Sequence, residues 1–501
     1  ERKLPMGKEF IKLTGIVKSF AGVQALQDVD FTMCEGEIRC LAGENGSGKS
    51  TLIKIIAGFY EADAGTIEIG GKRFDRLTPK QAIREGIQMI YQDFAVFPNL
   101  SVAENIAITS EHNEGKKFVD WKSVRGKALR IMKEIGIDLD PDAILGTLPV
   151  ADKQLVAICR ALVQEAKLLI MDEPTTALTK KEVAELFRLV RALKEKGVAI
   201  LLVSHKLEEV FEIAEELTIL RNGSLVVEGH MKDLDTDSFV YYMTGRELDK
   251  SRFAGSEKPG KELLKVEGIS AKTLFADISF NLHAGEILGI TGLLGSGRSE
   301  LARALFGMIK LDAGTITLDG EEVRMRNVRD AIAHGIAYVP EDRLTEGLFL
   351  PHTINRNIMI VAYRKFFSKF GFVKKLSLKQ TVDHWIQELK IVTPSGELPV
   401  QSLSGGNQQK VVIVKWLEND PRVLILNSPT VGVDVGSKAD IHAYARKLAR
   451  RGMGVIIISD DITEILQNCN RVLVMKRGRI ISEHNVAELT DAQLSEQLRE
   501  D

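Results

Sequence analysis

The chain carries two copies of a glycine-rich phosphate-binding loop at a fixed separation, and this repeat limits its folding more than any other feature. The first copy reads Gly43-Glu44-Asn45-Gly46-Ser47-Gly48-Lys49-Ser50 and the second Gly292-Leu293-Leu294-Gly295-Ser296-Gly297-Arg298-Ser299, so 292 − 43 = 249. Other pairs keep step: 341 − 92 = 249 for Glu341 and Gln92, and 403 − 148 = 427 − 172 = 460 − 205 = 255 for Leu403 and Leu148, Asn427 and Asp172, and Asp460 and His205. Two alignable modules follow, with 255 − 249 = 6 residues added in the second between Glu341 and Leu403, in a stretch expected to be a helical subdomain. The repeat places the modules at residues 9–247 and 261–498, joined by a linker over 248–260 that contains Ser251, Gly255, Ser256, Pro259 and Gly260. At 501 residues the length alone suggests roughly three domains, and the repeat replaces that estimate with two larger ones.

In such a loop, glycines free the backbone N–H groups to cradle phosphates at the N-terminus of the next helix. Gly43, Asn45, Gly46 and Gly48 would form the cradle, Lys49 would reach the β and γ phosphates, Ser50 would hold Mg²⁺, and Thr51 continues the nucleotide-binding run. The flanks agree: residues 37–42 read as a short buried strand and 51–56 as a helix. Leu168-Leu169-Ile170-Met171-Asp172-Glu173 is an apolar strand ending in two carboxylates, where a doubly wound parallel sheet binds its ligands. Asp172 would bind Mg²⁺ through water and Glu173 would polarise the attacking water. His205 ends a second apolar run, beside the γ phosphate, and Gln92 would complete the metal shell. Alone, His205 reads equally well as a strand-end histidine and Gln92 as a surface amide. In this order and spacing the set resembles the Walker A, Q-loop, Walker B and switch-histidine series of the ABC ATPase family.

That resemblance implies tandem α/β P-loop modules, each with a parallel-sheet core, a small β subdomain and a helical subdomain. It also implies head-to-tail packing, in which each ATP lies between one module's P-loop and the other's signature motif. Site one would combine Lys49, Gln92, Asp172, Glu173 and His205 with the intact signature Leu403-Ser404-Gly405-Gly406-Asn407, and Asp434 matches the D-loop aspartate. Phe20 would stack on adenine. Site two keeps Gly292, Gly295, Gly297 and Ser299 but carries Arg298 for lysine, Glu341 for glutamine, Asn427 for aspartate, Ser428 for glutamate and Asp460 for histidine. Its facing signature is Leu148-Pro149-Val150-Ala151-Asp152, and position 20 + 249 = 269 is Ile269 in place of an adenine platform. Losing a positioned acid or base costs about 10²- to 10⁴-fold in rate, so one working site per chain is expected. The second-site changes read either as an altered role or as drift in an idle site.

The second-half motifs, Gly297-Arg298, Pro340-Glu341-Asp342-Arg343 and Leu403 through Lys410, are similar to those of ATPase subunits of bacterial monosaccharide importers of the ribose, galactose and xylose type. The resemblance implies ATP and Mg²⁺ as cofactors, a separate integral membrane permease, homodimeric in form, and a periplasmic or lipid-anchored solute-binding protein. It implies a peripheral place on the cytoplasmic face of the inner membrane. Phe94, Phe97 and Phe349 flank the Q-loops and read either as permease contacts or as packed subdomain core. Nucleoside and signalling-sugar importers share the layout, and a soluble twin-cassette ATPase acting on ribosomes is the rival class; the short linker and the degraded second site argue against that rival. A net charge of −2 gives no attraction to nucleic acid. The four cysteines lack metal spacing, and no apolar run reaches the roughly 18 residues of a membrane helix.

Overall fold

The computed structural model describes residues 7–20, 23–91, 95–113, 119–175, 178–204, 206–247, 251–253, 260–367 and 373–499. Gln92, Phe94 and His205 lie outside them. The chain divides into two compact units, 1–248 and 249–501.

In module one the run Ile38–Ala42 is buried at every position, as in a strand covered on both faces, and its one charged residue, Arg39, is paired with Glu37 and Glu228. It pairs in parallel with Ala199–Val203 on one side and Glu216–Arg221 on the other. The full sheet runs in space Ser224–His230, Glu216–Arg221, Ile38–Ala42, Ala199–Val203, Leu168–Asp172, Ile87–Ile90. A second sheet, antiparallel and four-stranded, orders Val23–Cys34, Glu9–Phe20, Ala64–Ile69 and Lys72–Phe74. Helices Val102–Asn113, Trp121–Ile135 and Val150–Val163 form a separate apolar cluster around Val102, Ile106, Val124, Met132 and Val156.

Module two repeats both sheets strand for strand. Its six-stranded sheet runs Arg479–Asn485, Arg471–Lys476, Ile287–Thr291, Gly454–Ile458, Val423–Asn427, Ile336–Val339. Part of the expected linker belongs to this module: the Phe253 ring is buried in its core, and Arg252 donates to the carbonyls of Val486 and Leu489 at 2.8 and 3.0 Å.

Strand register corrects the assignment of Ile269 to the place of Phe20. Ile16 pairs with Val29 and Ile269 with Ile278. Since 278 − 29 = 249 but 269 − 16 = 253, the second hairpin tip is 253 − 249 = 4 residues shorter. Ile269 therefore matches Ile16, and both are fully buried. A deletion in the turn is invisible to an offset counted from the P-loop. At the shortened tip the exposed apolar residue is Leu274.

The six added residues fall into two groups within the interval expected for them. Asn105 accepts the Phe97 N–H at 2.8 Å and donates to the carbonyls of Phe97, Leu100 and Ser101. Asn357 makes the same four bonds to Phe349, His352 and Thr353. Here 357 − 105 = 349 − 97 = 252, so 252 − 249 = 3 residues enter before Phe349 and 255 − 252 = 3 after Asn357. Half of the insertion thus sits in the segment just after the Q-loop position, ahead of helix Ile354–Met359, where the chain makes the single helical turn Arg343–Gly347.

Both asparagines are buried, at 0% and 1% exposure. Replacing Asn105 with Leu removes the acceptor of the Phe97 N–H and the second donor to three carbonyls, and an unpaired buried group costs about 1–3 kcal/mol. Denaturant unfolding of the Asn105→Leu variant is expected to show module one destabilised by about 2 kcal/mol or more, with the module-two transition unmoved.

Candidate functional site

The first phosphate loop is held so closely that glycine is obligatory at its start: a Cβ on Gly43 would lie 2.3 Å from the Leu220 carbonyl oxygen. The Lys49 side chain is buried, and its ammonium donates to the carbonyls of Gly43 and Glu44 at 2.7 and 2.8 Å. Helix Lys49–Ile56 follows, with Ser50 exposed in its first turn.

Asp172 is the last residue of its strand and registers with Val203. Glu173 follows in a left-handed conformation, φ 49°, and its N–H bonds the Val203 carbonyl at 2.9 Å. A non-glycine residue held there stores roughly 1–3 kcal/mol and is a feature of ligand sites. Burial raises the Asp172 carboxyl above its ordinary value and the Glu173 charge adds to this, with Lys49 and Lys54 opposing. A strand-end carboxylate whose charge is disfavoured by burial and by its neighbour is an oxygen donor suited to a hard divalent cation. Phe20 lies at the end of its strand, 40% exposed, edge-on to Tyr60 at 5.1 Å and with the Lys18 ammonium 5.4 Å from its centroid.

In module two the corresponding groups satisfy one another. The buried Arg298 guanidinium donates to the Gly292 carbonyl and pairs with Asp460 at 3.5 Å. Ser299 donates to Asn427 at 3.4 Å, and Asn427 donates to the Tyr338 hydroxyl at 3.3 Å. Ser428 keeps the left-handed backbone of Glu173, φ 47°, and the same N–H bond, to Ile458 at 2.8 Å. Gly295 and Gly297 keep positive φ, as in the first loop. Glu341 is exposed.

The two signatures differ as their residues require. Ser404 caps helix Gly405–Leu417 and bonds the Asn407 backbone and side-chain nitrogens at 3.5 and 2.9 Å. Leu403 is half-buried before it, and a Cβ on Gly406 would meet Ser437 Oγ at 2.1 Å. In module one Pro149 caps helix Val150–Val163 with no side-chain bond. Asp434 is buried and caps helix Val435–Arg450 through Ser437 at 2.9 Å, a local structural bond alongside the D-loop role expected of it.

Several site-supporting residues escaped the motif reading. Thr179, at 434 − 255 = 179, replaces the D-loop aspartate in module one and caps helix Lys180–Glu195. On the signature helices Arg160 donates to the Ala95 carbonyl at 2.9 Å and Lys415, at 160 + 255 = 415, to Gly347 at 2.6 Å; burial pushes the Lys415 ammonium down to about 8. Both pairs could have been found from the offsets already in hand.

A parallel sheet whose strand ends present a phosphate loop and adjacent carboxylates, built twice in one chain, is the framework of a P-loop nucleotide-hydrolysing protein. The chain belongs to the ABC transporter family, whose profile matches residues 26–176 and 275–431. It is 44% identical over 480 residues to the ribose import ATP-binding protein RbsA of Chelativorans sp. (strain BNC1), covering 95% of this chain and 93% of that protein. It is 40% identical over 481 residues to the protein of the same name from Caldanaerobacter subterraneus subsp. tengcongensis, with 96% and 97% covered. A putative ribose/galactose/methyl galactoside import ATP-binding protein 2 of Rhizobium meliloti is 40% identical over 494 residues, with 98% and 96% covered.

The switch segment of module two rests on buried Glu464, which bonds His442 at 2.5 Å, Thr430 at 3.0 Å and the Ser459 hydroxyl. Burial alone would raise this carboxyl, but the bonds and charges of His442 and Lys438 outweigh it and hold it at about 2. A folded value below the ordinary 4.5 gives stability that is complete above pH 4.5 and lost as pH falls towards 2. Trp385 and Trp416 lie in module two and Trp121 in module one, so in a Trp121→Phe background tryptophan fluorescence is a module-two probe. Unfolding at pH 5.5 and pH 3 is expected to show wild type losing more stability than Glu464→Gln, by about 2 kcal/mol at most.

Proposed function

We propose that this protein hydrolyses ATP to drive uptake of a monosaccharide or related small solute through a separate membrane permease, with one competent ATP site per chain. The observation that carries the reading is complementary asymmetry: module one keeps every hydrolytic motif residue and a broken signature, module two the reverse. ATP turnover would use Gly43, Asn45, Gly46, Gly48, Lys49, Ser50 and Thr51 around the phosphates and Phe20 on the base. Residues 403–407 of module two would act on the same nucleotide. Glu173 would orient the attacking water and take its proton as the terminal P–O bond breaks, with His205 beside the γ phosphate.

Mg²⁺ would be held by Ser50, Asp172 and Gln92, and it would neutralise charge between the β and γ phosphates. The raised Asp172 carboxyl supports this, since a bound cation would favour the ionised form. In module two, Arg298 and Asp460 already pair with each other, which supports a second P-loop that turns nothing over.

The relatives' names support sugar uptake and, with it, a permease and a solute-binding protein on the far side of the membrane. Among the described residues no helix is long and apolar enough to cross a membrane, which accords with a peripheral subunit at the cytoplasmic face. Phe97 and Phe349 are 49% and 53% exposed on backbones fixed by the buried asparagines. That exposure favours permease docking over packed core for both.

Steady-state ATPase assays test the site. Glu173→Gln is expected to abolish turnover, by about 10²-fold or more, whereas Ser428→Ala leaves it within about twofold. The opposite pattern would reverse the assignment of the working module.

A further inference from the structure

The three residues added after the module-two Q-loop build a turn, Arg343–Gly347, that has no counterpart of the same length in module one. This turn is fastened on several sides. Arg343 Nη1 donates to the Val431 carbonyl at 2.8 Å and Nη2 to that of Gly432 at 3.1 Å, both just before Asp434. Glu346 pairs at 2.8 Å with Arg303 of the helix that follows the phosphate loop. The Gly347 carbonyl accepts from Lys415 of the signature helix at 2.6 Å. Asp342 caps the turn through the N–H groups of Leu344 and Thr345.

The guanidinium also lies on the signature itself. A Cβ on Gly405 would come within 2.6 Å of Arg343 Nη2 and 2.8 Å of the Gly432 carbonyl, so the first signature glycine leaves the room in which the arginine sits. At the position matching Gly405 module one carries Val150, since 405 − 255 = 150, and no arginine stands between Gln92 and Phe97. The arginine and its glycine therefore occur with the intact signature, and neither occurs in sequence with the broken one. Two parallel N–H donors from one planar group fix both distance and angle between the segments they join, which a lysine cannot do.

We propose that Arg343 is a positioning residue for the module-two signature: it locks the Q-loop turn, residues 431–432 and Gly405 into one unit, so that residues 403–407 are presented in the geometry ATP turnover needs. The inference rests on the reading that those residues act on the ATP held by module one. It gives the added turn a task, connecting the segment flanked by exposed Phe349 to the signature. It also explains why module two keeps its phosphate-loop helix as a support through Arg303 after losing the catalytic set.

The full chain is assayed with Mg-ATP as wild type, Arg343→Ala, Arg343→Lys and Glu173→Gln. Arg343→Ala is expected to lower kcat about tenfold or more, the scale on which a small misplacement of a reacting group acts. Equilibrium binding of Mg-ATP, measured in the Glu173→Gln background, is expected to stay within about twofold, because module one is intact. Arg343→Lys recovers part of kcat, since one ammonium can reach one carbonyl while keeping the charge and most of the stem. If Glu173→Gln is inactive but both Arg343 variants turn over within about twofold of wild type, the positioning role is overturned and the ATP site stands. If Glu173→Gln retains turnover, the site assignment itself fails. Should Arg343→Ala lose its fold, Arg343→Lys decides: full wild-type kcat overturns the proposal and a partial loss at unchanged ATP affinity supports it.

Discussion

The ladder of backbone hydrogen bonds on both sides of Ile38–Ala42 is the constraint on which the rest of module one depends. Its register, Ile38 against Ile200 and Arg39 against Glu216, fixes where three strands end relative to one another. Those ends carry the phosphate loop, Ser204 and, one strand further, Asp172 opposite Val203. A slip of one residue would turn a strand's side chains to the other face and move its terminal group by more than 3 Å. The catalytic arrangement is thus a consequence of strand length and pairing, and the apolar runs that specify those strands specify the site as well.

Module two separates scaffold from chemistry. Glu173 and Ser428 share a strained left-handed backbone and the same bond to the neighbouring strand, although Ser428 has no carboxylate to offer. The strain therefore belongs to the strand-to-loop transition, and the side chain in module one makes use of it. The phosphate loops tell the same story, since Gly292 would clash with the Met475 carbonyl at 2.4 Å much as Gly43 would with Leu220 at 2.3 Å. The two modules differ at side chains while the backbone constraints are shared.

Legibility in the sequence followed the same division. Lys49, Asp172, Ser404 and Arg298 were readable because motif spacing fixes them close to rigid strand ends. Apolar runs marked individual core strands such as 37–42 and 168–172, while the order of the strands in the sheet came only with the structure. What the sequence hid lay in turns. The hairpin deletion misplaced Ile269, and the insertion was placed between Glu341 and Leu403 without its division into two groups, which the intermediate offset of 252 at Asn105 and Asn357 marks. Arg343 was quoted as part of a motif, yet its partners are the carbonyl groups of Val431 and Gly432, which have no sequence signature. Backbone acceptors are common to every residue, so only coordinates reveal which ones a side chain selects.

A charge exchange between the modules explains why a scaffold can persist when its chemistry does not. Arg39 bridges Glu37 at 2.5 Å and Glu228 at 2.8 Å. In module two the matching carboxylates, Glu286 and Glu483, are bridged by Arg471 at 2.9 and 2.6 Å. Arg471 matches Glu216 and Leu288 matches Arg39, so the cation has crossed to the neighbouring strand at paired positions. Either strand can supply it, because what the buried carboxylates require is an opposite charge within hydrogen-bond reach. A group meant to face a phosphate has no such freedom while its ligand sets the geometry. In module two that place is filled from within: Arg298 and Asp460 neutralise each other, and the loop stands as a self-satisfied piece of framework.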